Sequence, residues 1–221
     1  MKLPDCLSRQ ALFASAGPAE LSRLAGATSV LRLARGDVLF RAGEVCLGVH
    51  VLVYGQVKLS SFSPLGGEKV LEIVDAGECI GEAPALTGEP YPAAAHALAD
   101  CLLLLVERGA LCQAIESNRA LARAAMARLG RRVHTLIGDI ESLSLRSGSQ
   151  RVVDYLLGET ARPPGLQVRL PAAKSVIASR LNLSPEHFSR ILGELAQREL
   201  IRVRGRQVAF LQIDRLRNYC G

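Results

Sequence analysis

The sequence predicts an α+β protein: an antiparallel β-roll of the double-stranded β-helix type, then a long helix, then a winged helix-turn-helix. Three observations predict this fold. Short apolar segments alternate with glycines in the first half, a heptad repeat runs through the middle, and two short helices with a basic hairpin occupy the last third. The predicted domains are residues 1–110 for the roll, 111–146 for the long helix and 147–221 for the winged domain.

The roll is predicted from its turns. A short amphipathic start, with Leu12, Phe13, Leu21 and Leu24 on helical spacing, precedes a glycine-rich stretch. Aliphatic segments between the glycines read as strands, and the tightest hairpin tip is placed at 65–68. The strand segments are Val49–Val53, Val57–Leu59, Val70–Val74 and Cys101–Val106.

The long helix, predicted over Leu111–Leu145, carries an apolar seam whose members are spaced alternately by three and four residues. A 3.5-residue period of this kind is typical of two helices that pair along their length. Packing within the chain's own domain is the alternative interpretation of the same stripe. The predicted dimerisation residues are Ala122, Met126, Leu129, Val133, Leu136, Ile140 and Leu143.

The winged domain begins after a polar hinge, 146–150, with a helix over Arg151–Thr160, a loop at Pro163–Gly165 and a strand over Leu166–Leu170. Two helices then share an apolar interface. On the first helix this interface includes Ile177 and Leu181. On the second it consists of Phe188, Ile191, Leu192 and Leu195.

The second of these helices has a firm start, because Ser184 is a good N-cap residue and Pro185 follows at the first helical position. Its outward face then holds Glu186, Ser189 and Arg190. Arg190 can donate two hydrogen bonds to guanine, and Glu186 can accept one from cytosine N4. A helix of this kind is typically placed in the major groove of DNA.

Basic residues surround this helix. Residues 1–150 hold 15 Lys and Arg against 15 Asp and Glu, whereas residues 151–221 hold 12 against 6, so the net charge of +6 lies in the last domain. A neutral front and a basic back indicate a sensor joined to a polyanion binder. The predicted DNA-binding residues are Ser184, Glu186, His187, Ser189, Arg190, Lys174, Arg180, Arg204 and Arg206, with Arg202 available for phosphates.

Other classes of protein are disfavoured. The six cysteines, at 6, 46, 79, 101, 112 and 220, include no Cys-x-x-Cys pair, so no zinc knuckle or redox dithiol is indicated. No apolar run approaches a membrane span, and the N-terminus lacks a signal segment, so we expect a cytoplasmic protein without membrane contact. No nucleophile–base pair or phosphate-binding loop indicates an enzyme. An architectural DNA binder leaves the front domain without a purpose.

Over essentially its full length the chain resembles the bacterial cyclic-AMP receptor/FNR superfamily. The matching stretches are Arg35–Glu44, Gly55–Leu59, Gly77–Glu82 and the run from Ile177 to Arg190. Glu186, Ser189 and Arg190 match the Glu-x-x-Ser-Arg signature of the FNR branch, which reads TTGA-type half-sites. The resemblance implies a cyclic-nucleotide-binding-like roll and a homodimeric transcriptional regulator that binds double-stranded DNA and works with RNA polymerase.

The same resemblance places an effector pocket at Gly81, Glu82 and Tyr91. Members that bind cyclic AMP follow their Gly-Glu pair with an arginine that clamps the phosphate, and residues 88–95 here contain none. A buried phosphate without a cation is costly, so cyclic AMP is disfavoured as the effector. With only Cys6 near the N-terminus, an iron–sulfur cluster is rejected as well.

The segments Pro90–Ala95, Glu141–Leu145 and Arg151–Leu156 resemble the dissimilatory nitrate respiration regulator branch, whose members respond to nitric oxide through haem. A haem ligand is then sought among His50, His96 and His134. Each also has an ordinary packed or surface interpretation. Regulation without a cofactor, or through oxidation of a cysteine, is the open alternative. The effector and the cofactor stay undetermined by the sequence.

Overall fold

A computed structural model describes residues 2–160 and 167–219, with the side chain of residue 160 left aside. The predicted loop at Pro163–Gly165 and Leu166 lie outside the described residues. The helices are α1 (Leu3–Ser8), α2 (Pro18–Gly26), α3 (Glu82–Thr87), α4 (Arg108–Ser117), α5 (Arg119–Leu145), α6 (Gly148–Thr160), α7 (Lys174–Arg180), α8 (Pro185–Gln197) and α9 (Ile213–Arg217). The strands are β1 (Thr28–Leu33), β2 (Val38–Phe40), β3 (Gly48–Tyr54), β4 (Gln56–Phe62), β5 (Glu68–Asp75), β6 (Cys79–Ile80), β7 (Ala94–Ala97), β8 (Cys101–Glu107), β9 (Gln167–Arg169), β10 (Ile201–Arg204) and β11 (Gln207–Phe210).

The predicted roll is confirmed. Two antiparallel four-stranded sheets, in the orders β1-β8-β3-β6 and β2-β7-β4-β5, enclose an apolar core. Strand β8 is buried along most of its length because it lies between β1 and β3, so its uninterrupted aliphatic run suits its place. The tip between β4 and β5 falls at 63–67, which overlaps the predicted 65–68, whereas Glu68 already belongs to β5.

The N-terminal helical prediction needs a correction. Leu12 and Phe13 do not share a helix with Leu21 and Leu24, because they lie in a turn between α1 and α2. Leu12, Phe13 and Leu24 are nevertheless buried in the core of the roll, while Leu21 is partly buried against it. The apolar spacing therefore indicates which of these residues are buried, but it does not indicate one continuous helix. The residues reach the core from a turn and from α2.

The long helix is also shorter than predicted, because the chain breaks at Asn118 between α4 and α5. The Asn118 Oδ1 accepts hydrogen bonds from the backbone amides of Ala120 at 2.9 Å and Leu121 at 3.2 Å, as an N-cap does. Its Nδ2 donates to Glu20 Oε2 at 2.7 Å, which ties the break to α2. A cap residue within an apolar stripe is the signal that marks this break.

Helix α6 begins three residues earlier than predicted, inside the polar stretch assigned to the hinge. The Ser147 Oγ accepts from the Gln150 amide at 3.2 Å, and the Gln150 Oε1 accepts from the Ser147 amide at 2.8 Å. This reciprocal pair is a capping box, so the polar residues start the helix and do not form an extended hinge.

The chain divides by its contacts into two compact units, Met1–Thr135 and Leu136–Gly221. In the second unit, α7 and α8 pack together, and β9, β10 and β11 form a three-stranded antiparallel sheet beside them. This is the predicted winged helix-turn-helix. Within residues 2–160 and 167–219, the chain has no helix with the length and apolarity needed to cross a membrane.

Candidate functional site

Helix α8 starts as the sequence predicts. The Ser184 Oγ accepts a hydrogen bond from the backbone amide of His187 at 3.1 Å, and Pro185 occupies the first helical position. Ser184 itself has an extended backbone, with φ −72° and ψ 153°. The side chain therefore satisfies one of the amides that the first turn leaves unpaired, which fixes where the helix begins.

Two faces of α8 separate cleanly. The buried residues are Phe188, Ile191, Leu192 and Leu195, and all four were predicted to pack inward. Glu186, Ser189, Arg190 and Gly193, on the opposite face, are all exposed. The Arg190 side chain is 68% exposed, with its Nε 3.8 Å from Glu194 Oε1. An exposed pair at this distance is weak, so Arg190 can exchange it for a base edge at small cost.

The carboxylate of Glu186 lies at the start of α8. Hydrogen bonds from its own backbone amide and from the Ser184 side chain lower the pKa of Glu186 below its usual value. The group is therefore ionised at neutral pH and acts as an acceptor only. An acceptor in this place suits the amino group of cytosine in the major groove.

His187 lies at the side of this face. It is half-buried, and a Cβ added at Gly148 would come within 3.4 Å of its Cε1 and 3.0 Å of Leu183 Cδ2. The imidazole is thus packed close to the start of α6. Its predicted contact with DNA stays a prediction.

The wing carries a row of basic and polar side chains, of which only some are predicted from the sequence. Arg204 on β10 pairs in register with Gln207 on β11, which pairs with Arg169 on β9. All three residues are exposed, as is Arg202 two positions along β10. Arg169 was missed, although its place on an alternating strand directly before the helix pair is a readable signal.

Arg206 is engaged inside the domain. Its Nε and Nη2 donate to the Leu170 carbonyl at 2.9 and 2.7 Å, and Nη2 also donates to the Pro171 carbonyl. The Leu170 amide returns a bond to the Arg206 carbonyl at 2.8 Å. The wing tip is therefore fastened to the segment that leads into α7, where Lys174 lies half-buried at the first position.

Arg180, the last residue of α7, is also engaged. Its Nη2 lies 3.0 and 2.9 Å from the two carboxylate oxygens of Asp139 on α5. The sequence predicts Arg180 as a DNA contact and indicates no role for Asp139. The two residues are 41 positions apart in the chain, beyond the range of any local pattern.

The three predicted effector-pocket residues lie together in the roll. Gly81 has φ +86°, and a Cβ there would come within 3.0 Å of Tyr91 Cε1. Tyr91 is only 4% exposed, stacks on Phe40 with 3.6 Å between ring centroids, and donates its hydroxyl to the Gly48 carbonyl at 3.4 Å. The tyrosine ring thus occupies the space directly beside Gly81, so the chain itself fills this part of the roll.

Glu82 has a partner as well. The Arg128 Nε on α5 lies 2.5 Å from the Glu82 carboxylate, and one turn later the Arg132 Nη1 lies 2.6 Å from Glu72 on β5. Burial raises the pKa of Glu82, and the neighbouring Arg128 opposes that rise. A small cavity beside Glu82 is otherwise lined by apolar residues, namely Leu12, Leu86, Leu111, Ile115 and Ala125.

The three candidate haem ligands lie on different elements. His50 on β3 is 4% exposed, its ring near those of Phe40 and Tyr91 at 5.6 and 6.2 Å, and burial lowers its pKa to about 4. His96 on β7 is half-buried near Phe62, and His134 on α5 is exposed. Among the described residues, no three His, Cys, Asp or Glu side chains are grouped as metal ligands.

A haem does not fit at His50 in this conformation. Its Nδ1 has no hydrogen-bond partner, which is the one feature a ligand site would share. However, the imidazole is buried and lies close to the rings of Phe40 and Tyr91, so the chain's own side chains occupy the space where a macrocycle would have to lie.

The described cysteines differ in their surroundings. Burial raises the pKa of Cys79 to about 12 and also raises that of Cys101. A thiol held protonated is a poor nucleophile, so oxidation at these two positions is disfavoured. Cys46 is buried too, and its Sγ donates to the Gly48 carbonyl at 3.4 Å. Cys6 and Cys112 are half-buried.

The predicted dimerisation seam is exposed along α5. Five members have between 38 and 65% of their surface open to solvent, namely Met126, Val133, Leu136, Ile140 and Leu143. Ala122 and Leu129 are half-buried, and Ile137 beside the seam is exposed as well. A row of exposed aliphatic side chains along one helix is typical of an interaction surface.

Comparisons with known proteins agree with this architecture. Residues 30–118 match the cyclic nucleotide-binding domain family, and residues 150–219 match the Crp-like helix-turn-helix domain family. The "CRP-like cAMP-activated global transcriptional regulator" of Mycobacterium tuberculosis is 23% identical, with 97% of this chain and 98% of that protein covered.

Among solved structures, FixK2 from Bradyrhizobium japonicum has the same fold, with a TM-score of 0.80, 22% identity, and coverage of 88% of this chain and 98% of that one. DNR from Pseudomonas aeruginosa is 33% identical over 97% of this chain and 96% of that one, with a TM-score of 0.52. With a roll, a long helix and a winged helix-turn-helix in the same order as these relatives, the chain belongs to the CRP/FNR family of DNA-binding transcriptional regulators.

Proposed function

We propose that the protein is a homodimer that reads a TTGA-type palindrome with α8. The observation that carries this proposal is the exposed face of that helix. It presents the ionised carboxylate of Glu186, the hydroxyl of Ser189 and the guanidinium of Arg190 side by side. An acceptor next to a bidentate donor is suited to base edges, whereas a surface that binds phosphates alone has no use for a carboxylate.

The palindrome follows from the seam. If two chains pair along the exposed aliphatic row of α5, each presents one α8 to the same side of the duplex. Two-fold related recognition helices read half-sites about 34 Å apart, one turn of DNA. Bound to the palindrome as a dimer, the regulator would act through RNA polymerase.

Competition binding tests the readout. Fluorescence anisotropy of the full chain with a TTGA palindrome and with a scrambled duplex gives the preference for sequence. We expect Arg190→Ala to lose about tenfold in affinity for the palindrome, as one bidentate base contact implies. Affinity for the scrambled duplex is expected to stay unchanged. Equal losses on the two duplexes would refute the assignment of Arg190 to base readout.

The signal is a separate proposal. In the roll, Arg128 pairs with Glu82 and Tyr91 packs against Gly81, so residues of the chain itself occupy the predicted effector pocket. For this reason we propose that cyclic AMP is not the effector. Nitric oxide, which the resemblance to dissimilatory nitrate respiration regulators implies, is the second candidate, and the 33% identity with DNR favours it. Since His50 does not fit a haem as it lies, control without a cofactor is the alternative.

Spectroscopy distinguishes these two candidates. The purified chain is mixed with haemin, freed of excess, and scanned before and after addition of nitric oxide. A stoichiometric Soret band that moves with nitric oxide supports sensing through haem. A spectrum of unbound haemin refutes it.

A further inference from the structure

One ion pair inside the second unit joins the seam helix to the helix-turn-helix. The Nη2 of Arg180 lies within hydrogen-bond distance of both carboxylate oxygens of Asp139. Only 23% of the Arg180 side chain and 28% of the Asp139 side chain are exposed. The pair is therefore partly shielded from water, so its attraction is screened less than that of a fully exposed pair.

The two partners lie on helices with different roles in the proposed function. Asp139 is adjacent in sequence to Ile140, a member of the exposed seam on α5. Arg180 is the last residue of α7, and only the turn 181–183 separates it from Ser184, the cap of the recognition helix. The ion pair thus connects the helix that carries the seam to the turn that precedes α8.

A second arginine braces the same turn. The Arg151 Nε on α6 donates to the Leu181 carbonyl at 2.9 Å, and its Nη1 donates to the Arg146 carbonyl at 2.7 Å, just beyond the end of α5. Two independent contacts therefore tie this turn to the end of α5. Arg151 holds the backbone of the turn, and the Asp139–Arg180 pair adds a side-chain contact between α5 and α7.

We propose that Asp139 and Arg180 are positioning residues that hold α8 at the spacing required by a palindrome. This inference rests on the proposed function. In this proposal Arg180 contacts Asp139 of its own chain and does not bind a phosphate of DNA. The two interpretations predict opposite effects at Asp139. A positioning pair loses specific binding when the carboxylate is removed, whereas a phosphate-binding arginine is released and binds all DNA more tightly.

The experiment measures the affinity of the full chain for TTGA palindromes whose spacers differ by one base pair, and for a single half-site, over a range of salt concentrations. The variants are Asp139→Asn, Arg180→Gln and the exchanged pair Asp139→Arg with Arg180→Asp. Glu141→Gln, which removes an exposed acid from the same end of α5, is the matched control. Circular dichroism verifies that each variant is folded.

We expect Asp139→Asn and Arg180→Gln each to lose roughly threefold to thirtyfold in affinity for the best-spaced palindrome. The affinities of these two variants for palindromes with different spacers should become similar, while their affinity for the single half-site is unchanged. The exchanged pair should regain the preference for one spacer length. Tighter binding of Asp139→Asn to every duplex, or unchanged spacing preference in both single variants, overturns the proposal. A wild-type chain that does not prefer any palindrome over the half-site refutes the proposed function instead.

Discussion

Arg128 and Glu82 join α5 to the roll through a pair only 2.5 Å long, with about a fifth of each side chain exposed. Glu82 belongs to the Gly-Glu pair that the family resemblance places in the effector pocket. In this chain the carboxylate is already matched by an arginine from the same molecule. A ligand hydroxyl would have to displace a charged partner, which is a poor exchange in a partly buried place.

Replacement of that carboxylate should cost stability. In Glu82→Gln the Arg128 guanidinium keeps its charge in a partly buried site and loses its counter-ion. We expect the free energy of unfolding to fall by about 1 kcal/mol. This is less than a hydrogen bond to a charged group usually contributes, because both side chains are partly exposed to water. Urea denaturation measures it. Glu89→Gln, at an exposed acid nearby, should leave the midpoint in place, and equal midpoints for all three proteins would contradict a bracing role.

Cyclic AMP should not protect the wild-type chain from heat. A ligand present at about a hundred times its Kd stabilises the folded state by about 2.7 kcal/mol, which is a clear rise in Tm. With Glu82 paired and Tyr91 packed against Gly81, we expect no rise in differential scanning fluorimetry up to millimolar nucleotide. A Tm that climbs with nucleotide concentration would contradict the exclusion of cyclic AMP.

Stability should fall in mild acid because of His50. The folded chain holds this imidazole neutral, with its pKa lowered by burial from 6.5 to about 4, whereas the unfolded chain takes up a proton near pH 6.5. Between these two values the unfolded state binds more protons, so the free energy of unfolding falls as the pH drops. Over the full window one such group accounts for about 3 kcal/mol.

Urea titrations at pH 7, 6, 5 and 4 measure that slope. In His50→Gln the titrating group is gone and the slope over this window should become shallower. His96→Gln serves as the comparison, since burial also lowers the pKa of this less enclosed histidine. Identical slopes for wild type and His50→Gln would show that other groups carry the dependence on acid.

Local features of this fold could be predicted from the sequence, and long-range ones could not. The Ser184 cap, the buried and exposed faces of α8 and the hairpin tip between β4 and β5 depend on residues a few positions apart. The partners of Arg128, Arg180 and Arg206 lie 46, 41 and 36 residues away in the chain. A charge pattern does not distinguish an arginine that is available to bind phosphate from one that pairs within the chain. For this reason two predicted DNA contacts, Arg180 and Arg206, are side chains that already have partners in the protein.

A charge in the seam should separate the two chains of the proposed dimer. Ile140→Arg places a guanidinium at an exposed aliphatic position, where pairing would bury it against its own copy. Sedimentation velocity should show a dimer for the wild type and a monomer for the variant. Arg131→Glu, also an exposed charge change on α5 but off the seam, should remain dimeric. A monomeric wild type would refute the seam as an interface.

The wing contains two neighbouring arginines that should behave differently. Arg206→Ala removes the donors that fasten the tip to the carbonyls of Leu170 and Pro171, and two such carbonyls then lose their partner. We expect the free energy of unfolding of the winged domain to fall by about 0.5–1.5 kcal/mol, the usual net contribution of a hydrogen bond, because Arg206 is exposed and water can reach these carbonyls. Affinity for DNA should decline as a consequence of the loosened tip.

Arg204→Ala is the matched comparison, because its exposed side chain is available for a phosphate. It should leave Tm unchanged, weaken palindromic and scrambled duplexes alike, and reduce the dependence of log K on log salt by about one. Thermal melts and anisotropy at several salt concentrations on both variants measure the contrast. If Arg206→Ala keeps its Tm and shows the loss in salt dependence instead, its guanidinium leaves the Leu170 carbonyl when DNA binds, and backbone bonds hold the tip without it.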